Sequence, residues 1–243
     1  RDPVRHWPIV LVGLLGKILG PIGTLLAALR GTLPWNFGLI NLANDLVWWV
    51  PFAAALYYAW RIGSAPTAAE PPLPLAEAIA AAASQRGRTL AQLAAAQPVL
   101  VLFLRHVGCT FCREALADVS QIREQLAARG VGLAVVHMSG PASAEQLLAR
   151  YGLDDVDHFS DPAGRLYRAF ELSRGAWWQV LGPQVWLRGL KALVRHGLGA
   201  IEGDAFQLPG AFLLHRGQIV AAYRYRTAAD RPDYLRLVTG SQA

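Results

Sequence analysis

Two long apolar stretches lie close together near the start of the chain. The first, residues 9–29, contains one charged side chain, and the second, residues 37–60, ends in aromatic side chains that favour a membrane interface. As helices, both are long enough to cross a hydrocarbon core about 30 Å thick, and neither precedes the small-residue cleavage site of a signal peptide. The pattern predicts a transmembrane helical hairpin within residues 1–62. A buried hairpin of a soluble protein is the alternative.

The polar side chains of the second stretch fall on one predicted helix face. Asn41, Asn44 and Asp45 are three and four residues apart, and Lys17 offers the opposite charge on the first stretch. We expect a contact between Lys17 and Asp45, because polar groups in a membrane hold helices together by hydrogen bonds. A role in transport is the alternative, although one hairpin is too small to form a pathway alone.

The charges that flank the hairpin predict its orientation. Three arginines would lie on one side of the membrane and one on the other, namely Arg1, Arg5 and Arg61 against Arg30. By the positive-inside rule, this predicts an integral membrane protein with its C-terminal domain on the cytoplasmic side. The chain begins with Arg1 and its single methionine is Met138. We therefore expect further sequence upstream that completes a helical bundle.

The apolar pattern changes after the hairpin. Residues 63–74 contain four prolines and lack apolar periodicity, which is typical of a semi-rigid linker. An alanine-rich helix near residues 75–84 and a second short helix lead to residues 99–104, VLVLFL. This unbroken apolar run predicts a strand that is buried on both faces. We expect a soluble domain over residues 75–243.

Alternating helices and strands fill this domain. Beyond Cys109, apolar residues recur every three or four positions, and Gly130 stands where a helix C-cap belongs. The other predicted elements are a strand at 131–137, a helix at 144–151, and a hairpin of strands at 211–214 and 219–225. The predicted order is β-α-β-α-β-β-α, an α/β fold.

Composition narrows the function classes. Hydrophobic residues make up 53% of the chain and charged residues 16%, which is less charge than soluble domains usually carry and suggests a membrane component. The net charge is +6, but the arginines are dispersed and no nucleic-acid motif accompanies them, so we expect no nucleic-acid partner. Two cysteines three positions apart cannot form the disulfide scaffold of a small secreted domain.

The two cysteines indicate redox chemistry. Cys109 and Cys112 form a C-x-x-C motif directly after the predicted buried strand and at the start of a predicted helix. Free N–H groups and the macrodipole at a helix N-terminus stabilise a thiolate, and the cationic Arg105 and Arg113 add to this effect. Cys109, nearer the helix start, is the predicted nucleophile, and Cys112 is the predicted resolving thiol.

The motif also allows other interpretations. A C-x-x-C can be half of a zinc site, completed here by His106 or His137, but no second C-x-x-C or H-x-x-x-H is present. His106 itself either shuttles protons or forms local hydrogen bonds. No flavin or nucleotide fingerprint occurs, so we expect catalysis by protein thiols without a metal or a cofactor.

Three segments carry a family resemblance: residues 105–114, 161–170 and 203–210. They resemble the peroxiredoxin-like branch of the thioredoxin-fold superfamily, the alkyl hydroperoxide reductase/thiol-specific antioxidant (AhpC/TSA) proteins that include selenoprotein L and prostamide synthase-like members. The resemblance implies a thioredoxin-like fold, a central mixed sheet flanked by helices, over about residues 75–240. It places Arg105 and Thr110 in the site and makes Pro209 the cis-proline that faces the dithiol. A trans proline that starts an edge strand is the alternative.

One departure from that family bears on function. Typical peroxiredoxins carry Pro-x-x-x-Thr-x-x-Cys, whereas Leu102 and His106 occupy the proline and threonine positions here. A membrane-tethered thiol–disulfide oxidoreductase is therefore favoured over a peroxiredoxin-like peroxide or lipid-peroxide reductase with antioxidant activity. A non-enzymatic membrane module with a redox-sensing domain is a further alternative. The expected partners are the lipid bilayer, a thiol or disulfide substrate protein or a peroxide, and a reducing thioredoxin or glutathione system.

An insertion is predicted at residues 173–207. Within it, residues 183–196 combine an apolar helix face with basic side chains on another face, namely Arg188, Lys191 and Arg195. This distribution suits a helix that lies at the membrane interface. Packing of the apolar face on the redox domain, or a cover over the dithiol, are the alternatives.

Overall fold

The structure, a computed structural model, describes residues 7–64, 72–176, 179, 203–204 and 206–240. The chain divides into two compact units, Arg1–Ala69 and Glu70–Ala243. Each unit has its own secondary structure and is described separately below. The predicted basic helix at 183–196 and most of the predicted linker lie outside the described residues.

The N-terminal unit is helical. Its helices are α1 (Trp7–Leu29), α2 (Trp35–Leu46) and α3 (Trp49–Ser64), and α1 packs against both of the others. The second predicted span, 37–60, is divided between α2 and α3 by a turn at residues 47–48. Pro51 explains the interruption, since proline has no N–H to donate and its ring clashes with the carbonyl four residues earlier.

Two stretches of this unit, Ile9–Leu29 and Trp35–Ala59, are long and apolar enough to span a membrane. Only 6% of the most apolar window of each stretch is buried. This is weak evidence for a membrane anchor, because it rests on length and composition alone.

Polar contacts join the first two helices. Lys17 Nζ donates to Asp45 Oδ1 at 2.8 Å, which confirms the expected contact between them. Asn41 Nδ2 donates to Thr24 Oγ1 at 2.7 Å, whereas Asn44 is exposed. Gly20 lies against the Asp45 carboxylate, where a Cβ atom would be 2.6 Å from Oδ2. Glycine at this position therefore allows the carboxylate to approach α1 closely.

The C-terminal unit is built on one mixed sheet. Its strands are β1 (Val99–Phe103), β2 (Gly132–His137), β3 (Asp157–Ser160), β4 (Gly210–His215) and β5 (Gln218–Arg224). They lie in the order β3-β2-β1-β4-β5; β1, β2 and β3 are parallel, and β4 is antiparallel to both of its neighbours.

Helices flank this sheet, which confirms the α/β class. Those before and after β1 are α4 (Leu75–Ala81), α5 (Leu90–Ala96), α6 (Thr110–Gln121) and α7 (Arg123–Ala128). The later ones are α8 (Pro141–Arg150), α9 (Arg165–Ala169) and α10 (Tyr234–Thr239). The one helix predicted after Cys109 is thus two, divided at Ile122, and Gly130 follows the second with φ +67°.

The strand β1 is central and fully buried, as its apolar run predicts. Alternate side chains enter different core clusters: Leu100 and Leu102 join one, and Val101 and Phe103 join the other. The first cluster also contains Cys109 and Cys112. The buried strand therefore supports the segment that carries the candidate chemistry.

The predicted order lacks β3, and this is a further correction. The strand begins with two polar residues, Asp157 and His158, so its sequence lacks the apolar run of a buried strand. Both residues are nevertheless at least 96% buried. Asp157 accepts a hydrogen bond from Ser84 Oγ at 2.8 Å and forms an ion pair with Arg88. Partners that lie about seventy residues away in sequence make the burial of this carboxylate possible.

The two ends of the predicted insertion meet. Gly175 N donates to Phe206 O at 2.7 Å, and Leu208 N donates to Ser173 O at 3.2 Å. Residues 173–175 and 206–208 therefore lie side by side, just before β4.

Candidate active site

The dithiol lies where the central strand passes into a helix. After β1, a short loop leads to Cys109, which is the N-cap residue of α6, and Cys112 is the third residue of that helix. Cys109 N donates to His106 O at 3.1 Å, a turn that brings the first cysteine back towards the end of β1. Both thiols are free and buried, with 5% and 2% of the residues exposed.

One arginine contacts both sulfur atoms. Arg105 Nη2 donates to Cys109 Sγ at 3.1 Å, and the backbone N of the same residue donates to Cys112 Sγ at 3.3 Å. The Arg105 residue is only 7% exposed. A guanidinium keeps its charge when it is buried, so it places a fixed positive charge beside Cys109.

The two thiols differ in acidity. A hydrogen bond from Cys112, followed by the charges of Arg105 and His106, holds the pKa of Cys109 well below its ordinary value, against the opposing effect of burial. Burial and the neighbouring Cys109 raise the pKa of Cys112 well above its ordinary value. Both directions favour a thiolate on Cys109 and a protonated thiol on Cys112. The roles of nucleophile and resolving thiol stay predictions.

The other predicted site residues lie close to the two cysteines in the sequence, and their contacts differ. Thr110 is buried at the first position of α6, between the cysteines, and its contribution to chemistry stays a prediction. The guanidinium of Arg113 donates through Nε to Val107 O at 3.3 Å and so supports the loop before Cys109. His106 is buried, with 4% exposed.

Two sequence comparisons bear on this domain. Residues 118–228 match the AhpC/TSA antioxidant enzyme family; the match begins after the dithiol. Peroxiredoxin-like 2A of Xenopus tropicalis is 29% identical over 141 residues, which is 55% of this chain and 59% of the relative. The chain is therefore similar to AhpC/TSA and peroxiredoxin-like proteins over part of its length. It spans less than two thirds of the length of the curated relative that it matches.

Two solved structures are similar to part of the chain. The bacterioferritin comigratory protein of Xanthomonas campestris matches with 18% identity and a TM-score of 0.43, over 59% of this chain and 78% of that chain. A putative thiol:disulfide interchange protein DsbE from Chlorobium tepidum matches with 16% identity and a TM-score of 0.43, over 65% and 89%. The C-terminal unit itself has the expected central mixed sheet flanked by helices.

The expectation that Pro209 is a cis-proline is wrong. No peptide bond among the described residues is cis, and these residues include Leu208 and Pro209. The trans form is the intrinsically preferred one, and Pro209 occupies the position directly before β4, where no ladder hydrogen bond is needed from its nitrogen. Its carbonyl accepts a hydrogen bond from Tyr225 N at 3.3 Å, which extends the pairing with the chain after β5. This agrees with the alternative of a trans proline that starts a strand, although β4 is not an edge strand.

Three buried tyrosines near Cys112 were missed by the sequence analysis. Tyr167 donates through its hydroxyl to Leu104 O, and Tyr225 and Tyr234 share a hydrogen bond of 2.8 Å between their hydroxyl groups. Burial raises the pKa of all three phenols. They are therefore neutral hydrogen-bonding groups. Arg168 follows Tyr167, and arginines flank Tyr225, so the local sequence carried no signal that these phenols are buried.

Metal ligands are not assembled in the described part of the chain. There, no three His, Cys, Asp or Glu side chains lie together in a group that could hold a metal ion. The polar groups around the dithiol are instead hydrogen-bond donors, which suits stabilisation of a thiolate.

Proposed function

We propose that the C-terminal unit is a thiol–disulfide oxidoreductase in which Cys109 attacks and Cys112 resolves. The observation that carries this proposal is the contact of the Arg105 guanidinium with Cys109 Sγ at 3.1 Å. The charge stabilises a thiolate on the outer cysteine of the motif, while burial keeps the inner cysteine protonated. Thiolates, not thiols, attack disulfides.

The chemistry takes two steps. The Cys109 thiolate attacks one sulfur of a substrate disulfide, forms a mixed disulfide and displaces the other substrate sulfur as a thiolate. Cys112 then loses its proton and attacks Cys109 Sγ, which releases the second substrate thiolate. The substrate gains two electrons, and the domain is left with a Cys109–Cys112 disulfide. A thiol reductant of the thioredoxin or glutathione class would restore the dithiol.

Peroxide reduction is the second candidate, and the match to an antioxidant enzyme family favours it. The same thiolate would attack the O–O bond of a peroxide, become a sulfenic acid and release water or an alcohol. Cys112 would then condense with the sulfenic acid and release water. Both candidates end in the same intramolecular disulfide, so the first step must be measured to separate them.

The test uses the reduced full chain in detergent, with C109S and C112S as matched variants. Exposure to glutathione disulfide should give a Cys109–Cys112 disulfide in the wild type, and a stable mixed disulfide on Cys109 in C112S. C109S should form neither. Mass spectrometry of the quenched samples reads all three results. Failure of the wild type to form the intramolecular disulfide would overturn the proposal.

A second measurement, with hydrogen peroxide, separates disulfide exchange from peroxide reduction. Stopped-flow measurement of wild-type oxidation by hydrogen peroxide should give a rate close to that of an ordinary thiol if disulfide exchange is the function. Rapid oxidation that is lost in C109S would establish the peroxidase instead.

We propose further that the N-terminal helices tether the chain to a lipid bilayer. Several large apolar side chains on these helices are 63% to 75% exposed, including Ile9, Leu19, Leu29, Ile40 and Val50. An apolar surface of this kind is unfavourable in water and is satisfied by lipid. Alkaline carbonate extraction of membranes that contain the full chain should leave it in the pellet; release into the supernatant would contradict the tether.

The cytoplasmic location of the redox domain is a separate proposal, which the arginine distribution supports. In right-side-out vesicles, a membrane-impermeant maleimide should label Cys109 only after the vesicles are opened. Labelling of intact vesicles would reverse the assigned orientation.

A further inference from the structure

A serine on the neighbouring strand holds the loop that leads to the dithiol. Val107 lies between Arg105 and Cys109, and its backbone N donates to Ser139 Oγ at 3.0 Å. Ser139 follows β2, the parallel neighbour of β1, and only 1% of it is exposed. The carboxyl ends of parallel neighbouring strands lie at the same edge of a sheet, which explains how Ser139 reaches this loop.

Two side chains bond to the backbone carbonyl of Ser139 rather than to its hydroxyl. Its carbonyl accepts hydrogen bonds from His137 Nδ1 at 2.9 Å and from Ser160 Oγ at 2.8 Å. Since a carbonyl only accepts, Nδ1 of His137 carries the hydrogen, and its Nε2 accepts from His158 Nδ1 at 2.9 Å. The network therefore joins the ends of β2 and β3 to the loop after β1.

We propose that Ser139 is a positioning residue for this site: its hydroxyl fixes the loop that places the Arg105 guanidinium beside the Cys109 sulfur. This inference rests on the proposed function of the dithiol. Only three residues, Val107 among them, separate Arg105 from Cys109, so a displacement of Val107 moves the attachment points of both side chains.

The hydrogen bond between the Arg105 guanidinium and Cys109 Sγ is sensitive to small movements of the loop. The strength of a charge-assisted hydrogen bond depends steeply on distance and angle. Without the Ser139 hydroxyl, Val107 N must find another acceptor, and the loop has to move to reach one. The guanidinium then loses its alignment with the sulfur, and the Cys109 thiolate becomes less stable.

The experiment compares S139A with S160A in the reduced full chain. Ser160 Oγ bonds the same Ser139 carbonyl but does not touch Val107, so S160A removes a neighbouring hydroxyl of the same network and serves as the matched control. The rate of iodoacetamide alkylation at Cys109 is measured from about pH 4 to about pH 10 by mass spectrometry of the labelled peptide, which gives the apparent pKa of the thiol.

The proposal predicts that S139A raises this apparent pKa by about one unit, a tenfold change in the ionisation constant, whereas S160A leaves it unchanged. Thermal unfolding is measured alongside, because a purely structural role would lower the melting temperature without moving the pH profile. An unchanged profile in S139A, or an equal rise in S160A, overturns the proposal.

A conservative variant keeps the test decisive where S139A does not fold. S139T retains the hydroxyl and should keep the wild-type pH profile; a rise of about one unit there overturns the proposal. The wild type separates this inference from the proposed function. A wild-type Cys109 that titrates as an ordinary thiol and forms no disulfide removes the function itself, whereas a low wild-type pKa that S139A leaves unchanged removes only the role of Ser139.

Discussion

The Arg105 guanidinium and the Cys109 sulfur lie 3.1 Å apart in a site where both residues are more than 90% buried. Charges interact more strongly in such a site than in water, because little solvent screens them. Cys109 also lies at the N-terminus of α6, where the helix dipole favours negative charge. Two independent features of the fold therefore stabilise the same thiolate, and the arginine is the one that a substitution can remove cleanly.

Replacement of this arginine by a neutral side chain should make Cys109 a weaker nucleophile at neutral pH. In R105Q, we expect the apparent pKa of Cys109 to rise by about one to two units, because the charge that favours the thiolate is gone. The pH dependence of iodoacetamide alkylation measures this. The control is R129Q, which removes an exposed arginine at the end of α7. A pKa in R105Q equal to that of the control would contradict the assigned role.

Elements with a strong local sequence pattern were predictable from the sequence. The run VLVLFL is apolar at every position, so it predicts a buried strand without help from distant residues, and the C-x-x-C motif then falls at the helix start. The strand β3 was not predictable, because its Asp157 is buried only through Ser84 and Arg88, which are distant in sequence. Local patterns do not report such partners.

The candidate site was predictable in part for a similar reason. Arg105 and the two cysteines are within eight residues of one another, so a single motif contains them. Ser139 and the tyrosines reach the site from other elements, and their contribution depends on strand order. The trans state of Pro209 was missed because the cis expectation came from a family resemblance rather than from the local sequence.

The hydroxyl pair of Tyr225 and Tyr234 should act as a unit in stability. Each residue is at most 6% exposed, and the pair shares a 2.8 Å hydrogen bond. Y225F or Y234F alone should destabilise the fold by about 1 to 2 kcal/mol, since each leaves a buried hydroxyl without that partner. The double variant should cost less than the sum of the single variants. Urea unfolding measures all three, with Y223F, a more exposed tyrosine of β5, as the control; additive costs would argue against coupling.

The His137–His158 pair should make the domain sensitive to acid. Burial, followed by the charge of His158, lowers the pKa of His137 to about 4, and burial also lowers the pKa of His158. Below about pH 6.5 the unfolded chain takes up protons at these positions that the folded chain does not, so stability falls as the pH drops from about 6.5 to about 4. The expected loss from His137 alone is roughly 3 kcal/mol.

Urea unfolding at several pH values within that window tests the histidine prediction. H137N cannot titrate but keeps an amide donor for the Ser139 carbonyl, so it should lose less stability than the wild type on acidification. H215N, at the end of β4, should keep the wild-type pH dependence. Equal pH dependence in the wild type and H137N would show that the acid sensitivity does not arise from His137.

Loss of one partner of the Lys17–Asp45 ion pair should destabilise the helices by more than the pair itself stabilises them. The side chains are 30% and 10% exposed, so K17L leaves a nearly buried carboxylate without its cation. We expect a cost of about 2 to 3 kcal/mol, below that of a fully buried pair because Lys17 is only partly buried. Replacement of both residues, K17L with D45L, removes the unpaired charge and should recover most of this loss. Thermal unfolding of the full chain in detergent, followed by circular dichroism, measures the helical unit; a double variant as unstable as K17L would show that the pair itself stabilises the packing of α1 on α2.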